Sequence, residues 1–458
     1  MTTIKRPIIY AIILWAIIGS TGWSCNKYLE AKPDKRLAVP NTLEELQALL
    51  NTYTQVNKRD ITTAESCADN FYLTDAGWAS FNEYKRRLYT WQKDYVIEPI
   101  NEYSNSDWGN SYRLINIANT VLDNIHNIST SQNNLLQWSN IKGQALFWRA
   151  KCFQQVAFVW ALAYDKSTAT NDLGIPLRLD ADFNKPSVRS TVKETYDQII
   201  RDLMEAIPLL PEVPVHVVRP SRPAAYGLLA RTYLSMRQYD SCAKYASLCL
   251  SIKNDLMDYN KDINAGAAAP IPQFNTEVVF ENLASSFEML GPKAIVDSML
   301  YASYEPNDIR KAAFFRSNND GTYGFKGHYS TGPFGGIATD EVYLMRAECN
   351  ARAGKTIEAM NDLNYLLIKR WKKGTYVPLT ATDATDAVSK ILAERRKELL
   401  FRGLRWMDIK RLNKDGAGIT LKRVINGETF LLPPNDPRYA VAIPEDVIAT
   451  TGMQQNPR

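Results

Sequence analysis

Apolar residues recur every three or four positions in several long segments of this chain, which is the spacing of one face of an α-helix. The segments that show this spacing are residues 43–53, 112–125, 143–163 and 191–210. Alternation of apolar and polar residues, which half-buried strands need, is confined to short pieces such as residues 278–281 and 430–432. The sequence therefore predicts a mostly α fold with few strands.

Two segments carry the pattern of large and small residues that is typical of tetratricopeptide helical hairpins. In residues 223–250 the matching positions are Tyr226, Leu229, Ala230, Tyr233, Tyr239 and Cys242. In residues 338–368 they are Tyr343, Ala347, Gly354 and Ala359. A third hairpin is expected within residues 143–210. Ala230 and Ala347 are 117 residues apart, so the hairpins are not in tandem. We expect them to form a scaffold, with long ligand-binding loops inserted between them.

The amino-terminal segment has the features of a secretory signal peptide over residues 1–24. Lys5 and Arg6 precede an apolar run of 11 residues at 8–18, and small residues follow. A membrane-anchoring helix is the alternative. At about 1.5 Å per residue, however, 11 residues do not cross a hydrocarbon core of about 30 Å. We therefore predict an exported protein.

Cys25 follows Gly22-Trp23-Ser24, and this stretch resembles the lipobox of a bacterial lipoprotein. We predict that Cys25 carries the lipid and is the first residue of a single mature domain, 25–458. The acyl chains would then anchor that domain to a membrane. The other five cysteines are scattered, which predicts buried free thiols rather than a disulfide framework: Cys67, Cys152, Cys242, Cys249 and Cys349.

The charge and the motifs favour neither nucleic-acid binding nor catalysis. Residues 1–24 contain Lys5 and Arg6 and no acid, so the formal charge falls from +5 to +3 when they are removed. That small excess does not indicate nucleic-acid binding. The histidines are isolated, no G-x-S-x-G motif occurs, and residues 353–356 lack the first glycine of a phosphate loop. We predict no enzyme, no cofactor and no metal site. A glycosidase's carboxylate pair is defined in space rather than in sequence, so that alternative stays open.

Aromatic residues concentrate in two non-repeat segments, residues 71–108 and 314–334, where polar side chains separate them. Exposed rings stack on sugar faces while neighbouring polar groups bond hydroxyls, which is the general composition of a small-ligand site. The glycine-rich flanks of the second segment predict irregular structure there. The predicted ligand-binding residues are Trp78, Tyr72, Asp69, Asn70, Tyr323 and Phe325.

Several longer motifs, in this order along the chain, resemble the SusD/RagB family. They are "CNKYLEAKPDKR" from Cys25, "YTWQKD" at 89–94, "DWGNSYRLINIANTVLDNI" at 107–125, "LGIPLRL" at 173–179, "RSTVKETYDQIIRDLMEAIPLLP" at 189–211, "ERRKELLFRGLRWMDIKR" at 394–411 and "AIPEDVIATTGMQQNPR" at 442–458. The resemblance runs from Cys25 to the carboxyl terminus.

This resemblance implies a lipid-anchored surface protein of Bacteroidetes outer membranes, lying as a lid over a SusC-like TonB-dependent transporter. Family members bind glycans, or in some cases peptides. The predicted function is non-catalytic capture of an oligosaccharide or polysaccharide for import. A peptide-binding member of the family and a glycoside hydrolase are the alternatives. Residues 394–411 are expected to be structural, with charged side chains at helical spacing suited to an ion-pair network.

Overall fold

The computed structural model describes residues 40–93, 106–284, 288–329 and 332–458. Thr42–Arg458 forms one compact unit. The predicted signal peptide, residues 1–24, and the predicted lipidation site, Cys25, lie outside the described residues, so both stay predictions. No helix in the described ranges is long and apolar enough to span a bilayer.

Helices dominate the described residues, which confirms the predicted fold class. In chain order they are α1 (Leu43–Leu50), α2 (Tyr53–Val56), α3 (Thr63–Cys67), α4 (Asp75–Ala79), α5 (Glu83–Tyr89), α6 (Asp107–Ile125), α7 (Leu135–Trp160), α8 (Val192–Ala206), α9 (Arg222–Ser235), α10 (Tyr239–Ile252), α11 (Ser298–Ala302), α12 (Ile309–Phe314), α13 (Thr339–Arg352), α14 (Thr356–Leu367), α15 (Ala384–Glu398), α16 (Arg405–Lys414) and α17 (Glu445–Thr451).

Local capping sets where the predicted helices begin. Thr191 accepts a hydrogen bond from the backbone N–H of Glu194 at 3.1 Å, and the Glu194 carboxylate accepts one from the N–H of Thr191 at 2.8 Å. This is the predicted capping box. Thr42 and Glu45 form a second one at the start of α1. α1 ends at Leu50, earlier than predicted, and the chain turns into the short helix α2.

The predicted hairpins are present as packed helix pairs. α7 packs on α8, α9 on α10 and α13 on α14, and α10 also packs on α13. The last contact joins the two hairpins that are distant in sequence, as predicted. Ala230, Cys242, Ala347 and Ala359 are buried, so small side chains do lie where the helices approach each other.

The strands form five two-stranded antiparallel sheets among the described residues. They are β1 (Phe71–Tyr72), β2 (Leu173–Pro176), β3 (Arg189–Thr191), β4 (Val278–Phe280), β5 (Ile295–Val296), β6 (Phe315–Ser317), β7 (Tyr323–Phe325), β8 (Ile337–Ala338), β9 (Leu421–Ile425) and β10 (Glu428–Leu432). The pairs are β1–β5, β2–β3, β4–β8, β6–β7 and β9–β10.

The prediction of irregular structure around residues 314–334 is wrong for part of that segment. β6 and β7 form a hairpin whose loop, residues 318–322, contains Asn319 at φ 66° and Gly321 at φ 85°. Asparagine and glycine tolerate these left-handed conformations. Asn319 and Gly321, residue types that favour irregular structure, therefore lie in the loop that joins two regular strands.

The carboxyl-terminal motif, residues 394–411, contains the end of α15, a turn and most of α16. Its predicted ion pairs are present, but most of its partners come from other parts of the chain. Glu398 pairs with Arg310 at 2.9 Å and with Arg370 at 2.7 Å, and Arg402 pairs with Asp340 at 3.0 Å. All of these side chains are buried. The motif therefore holds distant segments together rather than stabilising a single helix.

The cysteines of the described residues are free and buried, as predicted.

Candidate ligand-binding site

The first aromatic segment places Tyr72 on β1, opposite Ile295 of β5. Its side chain is 37% exposed. Partial burial and the nearby carboxylates of Asp320 and Asp297 raise the pKa of the Tyr72 hydroxyl. Tyr72 is thus a protonated, partly open aromatic group beside the hairpin loop of the second segment.

Trp78 lies on α4 and is half-buried. Its indole Nε1 donates a hydrogen bond to the carbonyl oxygen of Arg86 at 3.2 Å, and the Arg86 guanidinium lies 5.3 Å from the ring centroid. Thr74 caps the helix by accepting a hydrogen bond from the N–H of Gly77 at 3.0 Å. These contacts fix the position of the indole beside the residues that begin α4.

Asp69 and Asn70 have internal partners. The Asp69 carboxylate accepts hydrogen bonds from Arg405 at 2.7 and 2.9 Å and lies 3.3 Å from Arg396. Burial raises the pKa of Asp69, but these guanidinium groups outweigh it and lower the pKa to about 2. Asn70 is 1% exposed, and its amide donates to Glu65 at 2.6 Å. Both side chains therefore hold the loop in place through internal hydrogen bonds, and the side chain of Asn70 is closed off from solvent.

The second segment places Tyr323 and Phe325 on β7, both half-buried. Tyr323 stacks on Tyr301, with ring centroids 3.6 Å apart and an interplanar angle of 14°. Phe325 stacks on Phe401 at 4.7 Å and packs against an apolar cluster. Tyr323 therefore belongs to a stacked pair of phenols, whereas Phe325 belongs mainly to the core.

An open cleft of about 440 Å³ lies where the two segments meet. Its volume is in the range of small-ligand sites, about 300–1,000 Å³. Its lining residues come from the start of α4, from the strand β5 and the turn before it, and from the β6–β7 hairpin: Thr74, Gly77, Pro292, Lys293, Ile295, Arg316, Ser317, Asn318, Asn319, Asp320 and Thr322. The structure thus brings together two segments that the sequence singles out separately.

Most of the groups lining this cleft are polar. Lys293 Nζ donates to the Ser80 hydroxyl at 2.6 Å. Asp320 Oδ1 accepts hydrogen bonds from the Thr322 backbone N–H at 2.9 Å and from its hydroxyl at 2.6 Å. Asn318 Nδ2 donates to the same hydroxyl at 2.9 Å. Lys293 and Arg316 are not among the predicted ligand-binding residues. For Arg316, the signal in the sequence is the run of polar residues at 316–322, which lies between aromatic residues.

A second cavity, of about 290 Å³, lies between α6, residues 176–187 and the region of α17. Two of its polar side chains are already engaged, since Tyr112 donates to the carbonyl of Pro176 at 2.9 Å and Arg178 donates to that of Lys185 at 2.5 Å. The cleft at the β6–β7 hairpin is the stronger candidate for ligand binding because both predicted aromatic segments contribute residues to its lining.

Comparison with protein families identifies the chain. A family model described as "Starch-binding associating with outer membrane" matches residues 27–234, and the SusD family model matches residues 327–442. Together these matches cover well over half of the sequence. The chain belongs to the SusD family, as its motifs predict.

Individual relatives agree with this assignment. The SusD-like protein P2 of Formosa agariphila is 23% identical over 368 residues, which are 67% of this chain and 71% of that protein. A SusD superfamily protein of Bacteroides thetaiotaomicron is 22% identical with a TM-score of 0.75, covering 91% of this chain and 100% of its own. Surface glycan-binding protein A of Bacteroides fluxus is 18% identical with a TM-score of 0.68, at 91% and 100% coverage. At these identities the structural likeness establishes a shared fold.

Proposed function

We propose that this protein is a non-catalytic cell-surface binding protein that captures an oligosaccharide or polysaccharide at the cleft between β5 and the β6–β7 hairpin. The proposal rests on one observation. Residues of the two aromatic segments meet at this cleft, and most of the residues that line it are polar. No aromatic ring is among the described residues that line the cleft. The aromatic surface is proposed to come from its edge, where Tyr72 pairs with the lining residue Ile295, and where Tyr323, stacked on Tyr301, follows the lining residue Thr322. The asparagines and the charged groups supply hydrogen bonds to hydroxyls.

A binding role is favoured over hydrolysis by the charged groups of the cleft. Among the described residues that line it, Asp320 is the one carboxylate. A typical glycosidase needs two carboxyl groups about 5–9.5 Å apart, one on each side of the scissile bond. Asp297 also lies near Tyr72, but it is not among the described lining residues, and it caps α11 by accepting a hydrogen bond from the N–H of Leu300 at 2.8 Å.

The proposed location is the outer surface of the outer membrane, with the lipid on Cys25 as the anchor. Export rests on the basic head and short apolar run that precede this cysteine. The proposed partner is a SusC-like TonB-dependent transporter, which would receive the captured glycan. This part of the proposal rests on membership of the SusD family.

The test is a binding screen of the chain from Asn26 onward against plant, host and microbial glycans and mixed peptides. We expect a glycan to bind without release of products. Tyr323→Ala should weaken that binding, whereas Tyr365→Ala, which removes an exposed ring on α14, should leave it unchanged. Binding of peptides alone would replace the proposal with the peptide-binding alternative, and cleaved glycan would replace it with an enzyme.

A further inference from the structure

The cleft contains two positive charges without an acidic partner. Lys293 and Arg316 line it, and the nearest partner of Lys293 is a neutral hydroxyl, that of Ser80. Among the described residues no carboxylate forms an ion pair with either cation. The single acid of the lining, Asp320, has one carboxylate oxygen bound to both donors of Thr322.

Arg316 differs from the buried arginines that hold this fold together. Other arginines form paired hydrogen bonds with one carboxylate, as Arg411 does with Glu348 at 2.6 and 2.7 Å, and Arg149 with Asp202 at 2.8 Å twice. Arg316 is exposed and lies opposite Gly324 in the β6–β7 pairing.

Gly324 leaves the space in which the guanidinium of Arg316 lies. A Cβ atom there would lie 2.9 Å from Arg316 Nη2, so the guanidinium rests against bare backbone. A side chain at 324 would push it away. The β6–β7 hairpin therefore holds the planar guanidinium of Arg316 at the wall of the cleft, where no carboxylate of the described residues pairs with it.

We infer that the ligand of this cleft is an anionic glycan whose acid groups, carboxylate or sulfate, bind Arg316 and Lys293. This inference rests on the proposed function. A guanidinium presents a fork of N–H donors that matches the paired oxygens of either group, and the lysine ammonium adds a second positive charge. A neutral sugar would leave both charges without an anion.

The experiment compares matched glycans that differ only in charge: polygalacturonate with its methyl ester, and dextran sulfate with dextran. We expect an acidic form to bind more tightly than its neutral counterpart and to lose affinity as salt rises. The two pairs separate the carboxylate source of the charge from the sulfate source.

Two variants separate site binding from general attraction to a polyanion. Arg316→Gln should weaken binding of the acidic glycan about tenfold, since a charge-assisted hydrogen bond is lost. Arg201→Gln removes the same charge from an exposed position on α8 and should leave the affinity unchanged. Equal losses in the two variants, or equal affinity for acidic and neutral forms, would overturn the inference while the proposed function stands. Binding of no glycan at all would overturn both.

Discussion

Asp69 and Arg405 lie 336 residues apart in the sequence and form an ion pair with two hydrogen bonds, at 2.7 and 2.9 Å. The pair joins the loop before β1 to the first residue of α16. Arg396, near the end of α15, approaches the same carboxylate at 3.3 Å. The carboxyl-terminal motif thus fixes the base of the first aromatic segment, from which Tyr72 and Trp78 project.

Removal of the Asp69 charge should destabilise the fold. We expect Asp69→Asn to lower the free energy of unfolding by about 1–3 kcal/mol, because two charge-assisted hydrogen bonds lose their ionised acceptor. Asp197→Asn, which breaks an exposed pair with Lys193 on α8, should cost no more than about 0.5 kcal/mol. Urea unfolding of the two variants measures the difference. Equal stabilities would mean that the Asp69 pair contributes no more than a surface pair.

Glu65 should make stability depend on pH. Burial raises its pKa from 4.5 to about 7, although Asn70 and the N–H of Gly403 donate hydrogen bonds that oppose the shift. Between these pH values the folded protein holds a proton that the unfolded chain releases. This contribution is therefore complete below about pH 4.5 and is lost as the pH rises through about 7, by at most about 3 kcal/mol.

The corresponding measurement is the free energy of unfolding across that pH window. Glu65→Gln does not titrate, so its stability should fall less steeply with pH than that of the parent protein. Glu358→Gln, at an exposed position on α14, should keep the parental slope. A parental slope in Glu65→Gln would show that Glu65 does not hold the proton.

Gly174, in the "LGIPLRL" motif, allows β2 and β3 to approach closely. A Cβ atom at this position would lie 2.3 Å from the carbonyl oxygen of Thr191. Gly174→Ala should therefore destabilise the protein by about 1–3 kcal/mol, as overpacking usually does. At Gly266 the nearest atom would be an ordinary 3.5 Å away, so Gly266→Ala should change the melting temperature little. Similar melting temperatures would show that the β2–β3 pair shifts at no cost.

Trp78 and Trp138 form a matched pair for testing the aromatic segment. Both are half-buried, both donate Nε1 to a backbone carbonyl, at 3.2 and 3.0 Å, and both have a cation over the ring, at 5.3 and 5.5 Å. We expect Trp78→Ala to weaken glycan binding by about 1–3 kcal/mol and Trp138→Ala to leave it unchanged. Titration calorimetry on folded variants measures this. Unchanged affinity in Trp78→Ala would remove Trp78 from the predicted site.

The helical part of the fold is predictable because its signals are local. Apolar spacing and the Thr191–Glu194 capping box are complete within one segment, and α8 starts where they indicate. The two-stranded sheets are less predictable, since β1 finds its partner, β5, more than 200 residues later. Short strands with distant partners leave little periodicity to detect.

The candidate site is also predictable only where its signals are local in the sequence. Aromatic clustering in the sequence indicates both segments that meet at the cleft, although the described residues that line it are the neighbours of Tyr72 and Tyr323 rather than the rings themselves. The sequence does not reveal that Asp69 already has a counter-ion, because Arg405 is remote. Nor does it distinguish Arg316, which lines the cleft and rests against Gly324.

The ion pair between Asp69 and Arg405 also limits when the first aromatic segment can be fixed in place. Ribosomes extend the chain from its amino end, so the first aromatic segment emerges long before the guanidinium that fixes it. Until Arg405 is present, the Asp69 carboxylate lacks the ion pair that fixes the base of this segment. The first aromatic segment is therefore fixed in place only when nearly the whole polypeptide is available, wherever folding takes place.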